Sequence, residues 1–314
     1  MPPQDRVRTI NFFEVVEYIN PTSSARFSHA DWQDLLQQLR GTELQERVWD
    51  GGDKTFIGEV LFVNDTYHLK FMSVRDESAW LEVYNPAAYS IAELNLGTDN
   101  VLLETSIVAF LNFGNVVGII QGSTAAPTST ALGRWINGLE LFGPNTLVET
   151  RPMVSHEAQQ KLQNADEVAS VSVKMHTNKA DALVARQARV GSVLRTVKEE
   201  FGDLTVTVTL TPSRARSQSE GRQALRTELD HVLAATEADE VDRAKARLVY
   251  FDADEKSRTE TVDFIKQRVT AKRTIQATDD KGDPIRNSSA VSAILDVAHE
   301  HADELRRIVE APAE

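Results

Sequence analysis

The sequence predicts an α+β protein of antiparallel sheets with packed helices, divided into two domains. Three observations carry this. The first half holds runs of β-branched and aromatic residues separated by turn signals. The second half alternates such runs with helix-period apolar stripes. The length, 314 residues, exceeds the roughly 250–300 residues that one hydrophobic core organises.

Taken in order, Ser28-His-Ala-Asp31 resembles a capping box, and Trp32, Leu35, Leu36 and Leu39 follow at helical spacing until Gly41. Thr55–Val63, Thr66–Val74 and Ala79–Tyr84 read as a meander of strands, broken by Asn-Asp and Arg-Asp-Glu turns. Thr105–Asn112 and Asn115–Gln121 flank Phe113-Gly114, a hairpin connection. A helix led in by Pro127 places Leu132, Trp135, Ile136 and Leu139 on one face and stops at Gly143-Pro144-Asn145. Thr146–Val154 reads as a strand.

The polar run Ser155–Ala165 marks the predicted boundary. It separates an N-terminal α+β domain, residues 1–160, from a C-terminal α+β domain, residues 161–314, holding the basic clusters and a terminal helix. The second half reads as strand Val168–Met175, helices over Ala180–Phe201 broken near Gly191, and strand Leu204–Leu210 with Thr/Val alternation. Ser217-Gln-Ser-Glu220 caps a helix whose Leu225, Leu229, Val232 and Leu233 share a face. Strands at Arg247–Phe251 and Thr259–Val269 and a helix over Ser289–Val309 complete the order.

Composition excludes several function classes. With no cysteine, the chain has no disulfide framework, thiolate zinc site, iron–sulfur cluster or cysteine nucleophile. MPPQDRVRTINFF lacks the basic-then-apolar pattern of a secretion signal, and Val116–Ile120, among the longest apolar runs, falls far below the ~20 residues of a membrane span; a cytoplasmic location is expected. The net charge of −13 argues against a protein that coats nucleic acid by bulk attraction. That acidity is uneven: residues 1–150 carry nine Lys/Arg against nineteen Asp/Glu, residues 151–314 twenty-five against twenty-eight.

No Walker or dinucleotide glycine loop and no G-x-S-x-G elbow occurs. His299 and His301, two apart, point to different faces of a helix, a poor chelating geometry. Asp254-Glu-Lys256 echoes the carboxylate–lysine pairs that hold Mg²⁺ in nucleases, with Asp239 or Asp242 as the second carboxylate. The alternative is a polar turn. Asp279–Asp283 lacks the ligand order of a calcium loop.

The basic segments are the strongest signal. Arg214, Arg216, Arg222 and Arg226 face a single acid, Glu220, and Arg222 and Arg226 stand four apart on one helical face. Arg243, Lys245 and Arg247 alternate as on a strand. Lys266, Arg268, Lys272 and Arg273 lie in a stretch without acids. Convergent cations displace condensed counterions and bind phosphate backbones irrespective of sequence. The competing reading is a solvated face with local pairs such as Arg226 to Asp230.

Thr105 to Pro212 resembles the RexA family of phage exclusion proteins. The resemblance rests on Phe113-Gly114-Asn115-Val116-Val117-Gly118, on Gly122…Pro127-Thr128-Ser129…Leu132, and on Glu149-Thr-Arg-Pro152-Met153. It continues in Val171-Ser-Val173, Gly191-Ser-Val193-Leu194 and Gly202-Asp203-Leu204…Pro212, and is shared with the related KwaB defence proteins. It implies a homodimer with a fold like the recombination-associated protein RdgC, binding double-stranded DNA without sequence preference. Such a protein senses an invading phage beside a small RexB-like membrane partner and needs no cofactor. The sequence departs from the family's basic strand near Leu248–Asp252, where it has Val249 and Phe251; the contacts then fall to Arg243, Lys245 and Arg247. The expectation is a non-enzymatic DNA-binding protein. The alternatives are a Mg²⁺-dependent nuclease using Asp254 and Lys256, and an adaptor docking through its C-terminal helix.

Overall fold

The structure, a computed structural model, describes residues 4–20, 23–75, 82–85, 90–93, 100–185, 187–212, 218–236, 241, 243–251 and 256–310. It is an α+β arrangement of antiparallel sheets with packed helices. The first strand, β1 (Arg6–Asn20), is buried on both faces between Phe12 and Val16. Strand β2 (Ser23–Ala25) folds back on it, and α1 (Trp32–Gly41) follows, its first turn capped by the Asp31 carboxylate, which accepts from Asp34 N. Strands β3 (Val48–Asp50), β4 (Thr55–Val63) and β5 (Thr66–Val74) form the meander. Asn64 and Asp65 both take positive φ, 52° and 60°, the backbone of a two-residue hairpin turn that Asn and Asp tolerate.

A separate hairpin pairs β6 (Glu82–Asn85) with β7 (Ser90–Glu93). Next come β8 (Leu103–Phe110) and β9 (Val116–Gln121), turned through Gly114 and Asn115 in the left-handed region. Helix α2 (Ser129–Gly138) is capped by Thr128 rather than opened by Pro127, and β10 (Val148–Pro152) returns beside β1. The polar run 155–165, read as the domain boundary, contains a helix, α3 (His156–Gln163), with Ser155 as its N-cap.

The rest of the chain builds a second sheet and then returns to the first. Strand β11 (Glu167–His176) leads to α4 (Ala180–Ala185) and α5 (Arg189–Phe201). The helices divide between Ala185 and Arg189, close to Gly191, the third residue of α5. Strand β12 (Thr205–Leu210), α6 (Gln218–Thr236), β13 (Arg243–Phe251) and β14 (Ser257–Asp263) complete a four-stranded sheet of order β12-β11-β13-β14. Its inner face packs Val171, Val173, Ala244, Ala246 and Leu248 against Leu183, Leu194, Leu229 and Val232 of the helices.

Strand β15 (Thr270–Ile275) then pairs with Arg6–Asn11 of β1, end to end with β10 on the same edge. Helices α7 (Arg286–Glu300) and α8 (Ala302–Ile308) cover one face of this nine-stranded sheet through Val291, Ile294, Val297, Leu305 and Ile308. The other face carries α1 and α2 through Trp32, Leu36, Leu132 and Trp135. Each such fully buried side chain contributes roughly 1.5–3 kcal/mol. The C-terminal elements expected within residues 161–314 as one unit are therefore shared between both sheets, because their apolar stripe fits the face that Ile10, Phe12, Ile107 and Ile120 present. Among the described residues no helix is long and apolar enough to cross a membrane.

Candidate nucleic-acid interface

Strand β13 is strictly two-faced. Ala244, Ala246 and Leu248 enter the core, so Arg243, Lys245 and Arg247 point the other way. The register extends this outward face: Arg243 stands opposite Lys174 of β11, Lys245 opposite Ser172, and Arg247 opposite Ser170. On the other side Lys245 faces Asp263 and Arg247 faces Thr261. Strand β12 adds exposed Thr207 and Thr209, and the hydroxyls of Ser172 and Thr209 lie 3.0 Å apart. None of the described helices packs on this face; the helices of this sheet's core, α3 to α6, lie on the opposite side.

The electrostatics are lopsided. Among the described residues, four cations share the face with one carboxylate, Asp263, whose Oδ2 is 3.6 Å from Lys245 Nζ and 3.9 Å from Arg243 Nε. Lys174 and Arg247 make no ion pair among the described residues. Lys266, exposed in the turn after β14, donates its backbone N–H to Asp263 Oδ1 at 3.4 Å and brings a fifth cation to the end of the sheet.

The other expected residues that the structure describes do not join this face. Arg222 pairs with Glu167 of β11, and Arg226 Nη1 donates to Leu162 O at 2.8 Å, with Asp230 at 3.8 Å. The shared helical face of Arg222 and Arg226 is real, yet it serves to bind α6 to β11 and α3. Arg268 bridges Val154 rather than continuing a strand with Lys266, because β14 ends at Asp263 and a turn intervenes. Lys272 and Arg273 take opposite faces of β15: Lys272 is exposed, while Arg273 pairs with Glu300 of α7. Arg214 and Arg216 lie outside the described residues, as does the Ser217 cap. Lys174 was missed by the sequence reading, although Ser170, Ser172 and Lys174 alternate with Val171, Val173 and Met175 and so announce one polar face.

The nuclease reading turns on Asp254, Asp239 and Asp242, which lie outside the described residues. Among the described residues no group of three or more His, Asp or Glu is placed to hold a metal ion. His301 sits within 3.5 Å of Glu304 at the junction of α7 and α8, and the Asp279 carboxylate accepts from Lys281 N and Asp283 N as a turn-former.

No protein-family model matches the chain, and a comparison with curated proteins finds no match.

Proposed function

We propose that the chain binds double-stranded DNA without sequence preference, as the homodimeric, non-enzymatic DNA sensor of a cytoplasmic phage-exclusion system that works with a small membrane partner. The observation that carries the DNA-binding part is the open outward face of the four-stranded sheet. There Lys174, Arg243, Lys245 and Arg247 stand among Ser and Thr hydroxyls against one acid among the described residues, in a molecule whose net charge is −13. Cations and hydroxyls contact phosphates and carry no base information by themselves, which accounts for binding irrespective of sequence. The face holds few aromatic groups on which unstacked bases could rest; Phe251 is exposed at the end of β13. A duplex therefore suits it better than a single strand. The exclusion context, the dimer and the membrane partner rest on the resemblance of Thr105–Pro212 to the RexA family.

Fluorescence anisotropy with labelled duplexes of unrelated sequence, titrated at several salt concentrations, tests the reading. Equal affinity for each duplex and a log–log salt slope of about −3.6, the value for four neutralised phosphates, are expected. Absence of binding at low salt, or affinity confined to one sequence, overturns it.

A further inference from the structure

The cleft beside the start of α7 lies on the other sheet and is independent of the DNA face. Its volume is about 1170 Å³, ample for a small molecule, since ligand sites run roughly 300–1,000 Å³. The floor is the α7-covered face of the nine-stranded sheet continuing past the helix start, with Leu61, Val63, Ile107, Ile120 and Ile275. The lining is cationic: Arg6, Arg8, Lys70 and Arg286 against Glu104.

Local pairing leaves the positive charge in surplus. Lys70 Nζ is taken by Glu59 at 2.8 Å, and Glu104 is taken by Arg75 at 3.0 Å. Arg8 donates to the Gly122 carbonyl, which does not neutralise it. Arg6 and Arg286 are exposed and form no ion pair among the described residues. The first amides of α7 point the same way electrically, since no side chain caps them. An apolar floor under three uncompensated guanidinium groups, in a protein that is strongly acidic overall, is complementary to one kind of small molecule.

We propose that this cleft binds a single-chain amphiphile with an anionic head, a fatty carboxylate or an alkyl phosphate. The chain lies along Leu61, Val63, Ile107, Ile120 and Ile275, and the head meets Arg6, Arg8 and Arg286. Guanidinium groups bind both heads through charge-assisted hydrogen bonds.

Isothermal titration of the full chain with decanoate, decyl phosphate and decanol tests this. The two anions distinguish the head chemistry, and decanol reports the apolar floor alone. One anion per chain is expected, with affinity at least about tenfold above decanol, the worth of one charge-assisted hydrogen bond. Replacing Arg6 and Arg286 together by Gln lowers anion affinity by about tenfold or more and leaves decanol unchanged. Leu103→Glu, at an exposed position on the cleft lining, weakens anion binding without disturbing the circular dichroism spectrum. The proposal is overturned if none of the three ligands binds, if decanol binds as tightly as the anions, or if the double Gln variant keeps full anion affinity. Displacement of decanoate by duplex DNA also overturns it and assigns the cleft to the nucleic-acid surface.

Discussion

Lys245 on β13 and Asp263 on β14 face each other across the outward side of the four-stranded sheet, Nζ to Oδ2 3.6 Å. The same carboxylate reaches Arg243 at 3.9 Å, so one acid restrains two of the cations proposed to meet DNA. Asp263→Asn removes that restraint. Coulomb repulsion of about 0.7 kcal/mol between unit charges ~6 Å apart in water amounts to roughly threefold in affinity. The variant is expected to bind duplex DNA about threefold more tightly at low salt; an anisotropy titration showing weaker binding contradicts the assignment.

Replacing Arg243, Lys245 and Arg247 together by Gln is expected to flatten the log–log salt dependence by about 2.7, three phosphates at about 0.9 each. Lys174→Gln alone is expected to flatten it by about 0.9. Arg222→Gln serves as the contrast. Its partner is Glu167 inside the protein, so the variant should keep the full slope while losing stability in urea denaturation.

His68 on β5 is fully buried, its Nε2 2.8 Å from Thr66 Oγ1, and burial pushes its pKa down to about 4. Below the unfolded value of about 6.5 the unfolded imidazole takes up a proton that the folded one refuses. Stability therefore falls as pH drops from about 6.5 towards 4 and levels off below that, a loss on the order of 3 kcal/mol from this group. Urea denaturation of the chain and of His68→Gln at pH 7 and pH 4.5 checks it. The stability difference between the two proteins should shift against the parent chain at the lower pH.

Gly118 on β9 lies under α7, where an added Cβ would stand 2.2 Å from Ile294 Cγ2. Gly118→Ala is expected to destabilise by roughly 1–3 kcal/mol through overpacking, seen as a lowered thermal midpoint. An unchanged midpoint would mean that α7 does not pack on the nine-stranded sheet as described.

Much of the local order was readable because it depends on neighbours in sequence. The meander strands Thr55–Val63 and Thr66–Val74 were legible to the residue, since alternation and an Asn-Asp turn fix both. The α1 and α2 stripes were equally plain. Strand β1 went unread because burial on both faces erases the period-2 signal in Phe12–Val16. The α3 helix was hidden by its polar surface, only Ala158 being buried. Of the candidate interface, the alternation of Arg243, Lys245 and Arg247 was visible, while Lys174 joins them only through the β11–β13 register.

The sequence alone determined the α+β class, the β4–β5 and β8–β9 hairpins and which side chains of β13 share a face, because these follow from periodicities of two and 3.6 along a single segment. Tertiary structure decided which cations stay open to solvent and which are consumed by Glu167, Leu162 and Glu300. It also decided that β15 and α7 complete the first sheet instead of the second. Those outcomes depend on partners 27 to 269 residues apart in sequence, whose approach is set by which apolar faces fit together, and no local pattern encodes that.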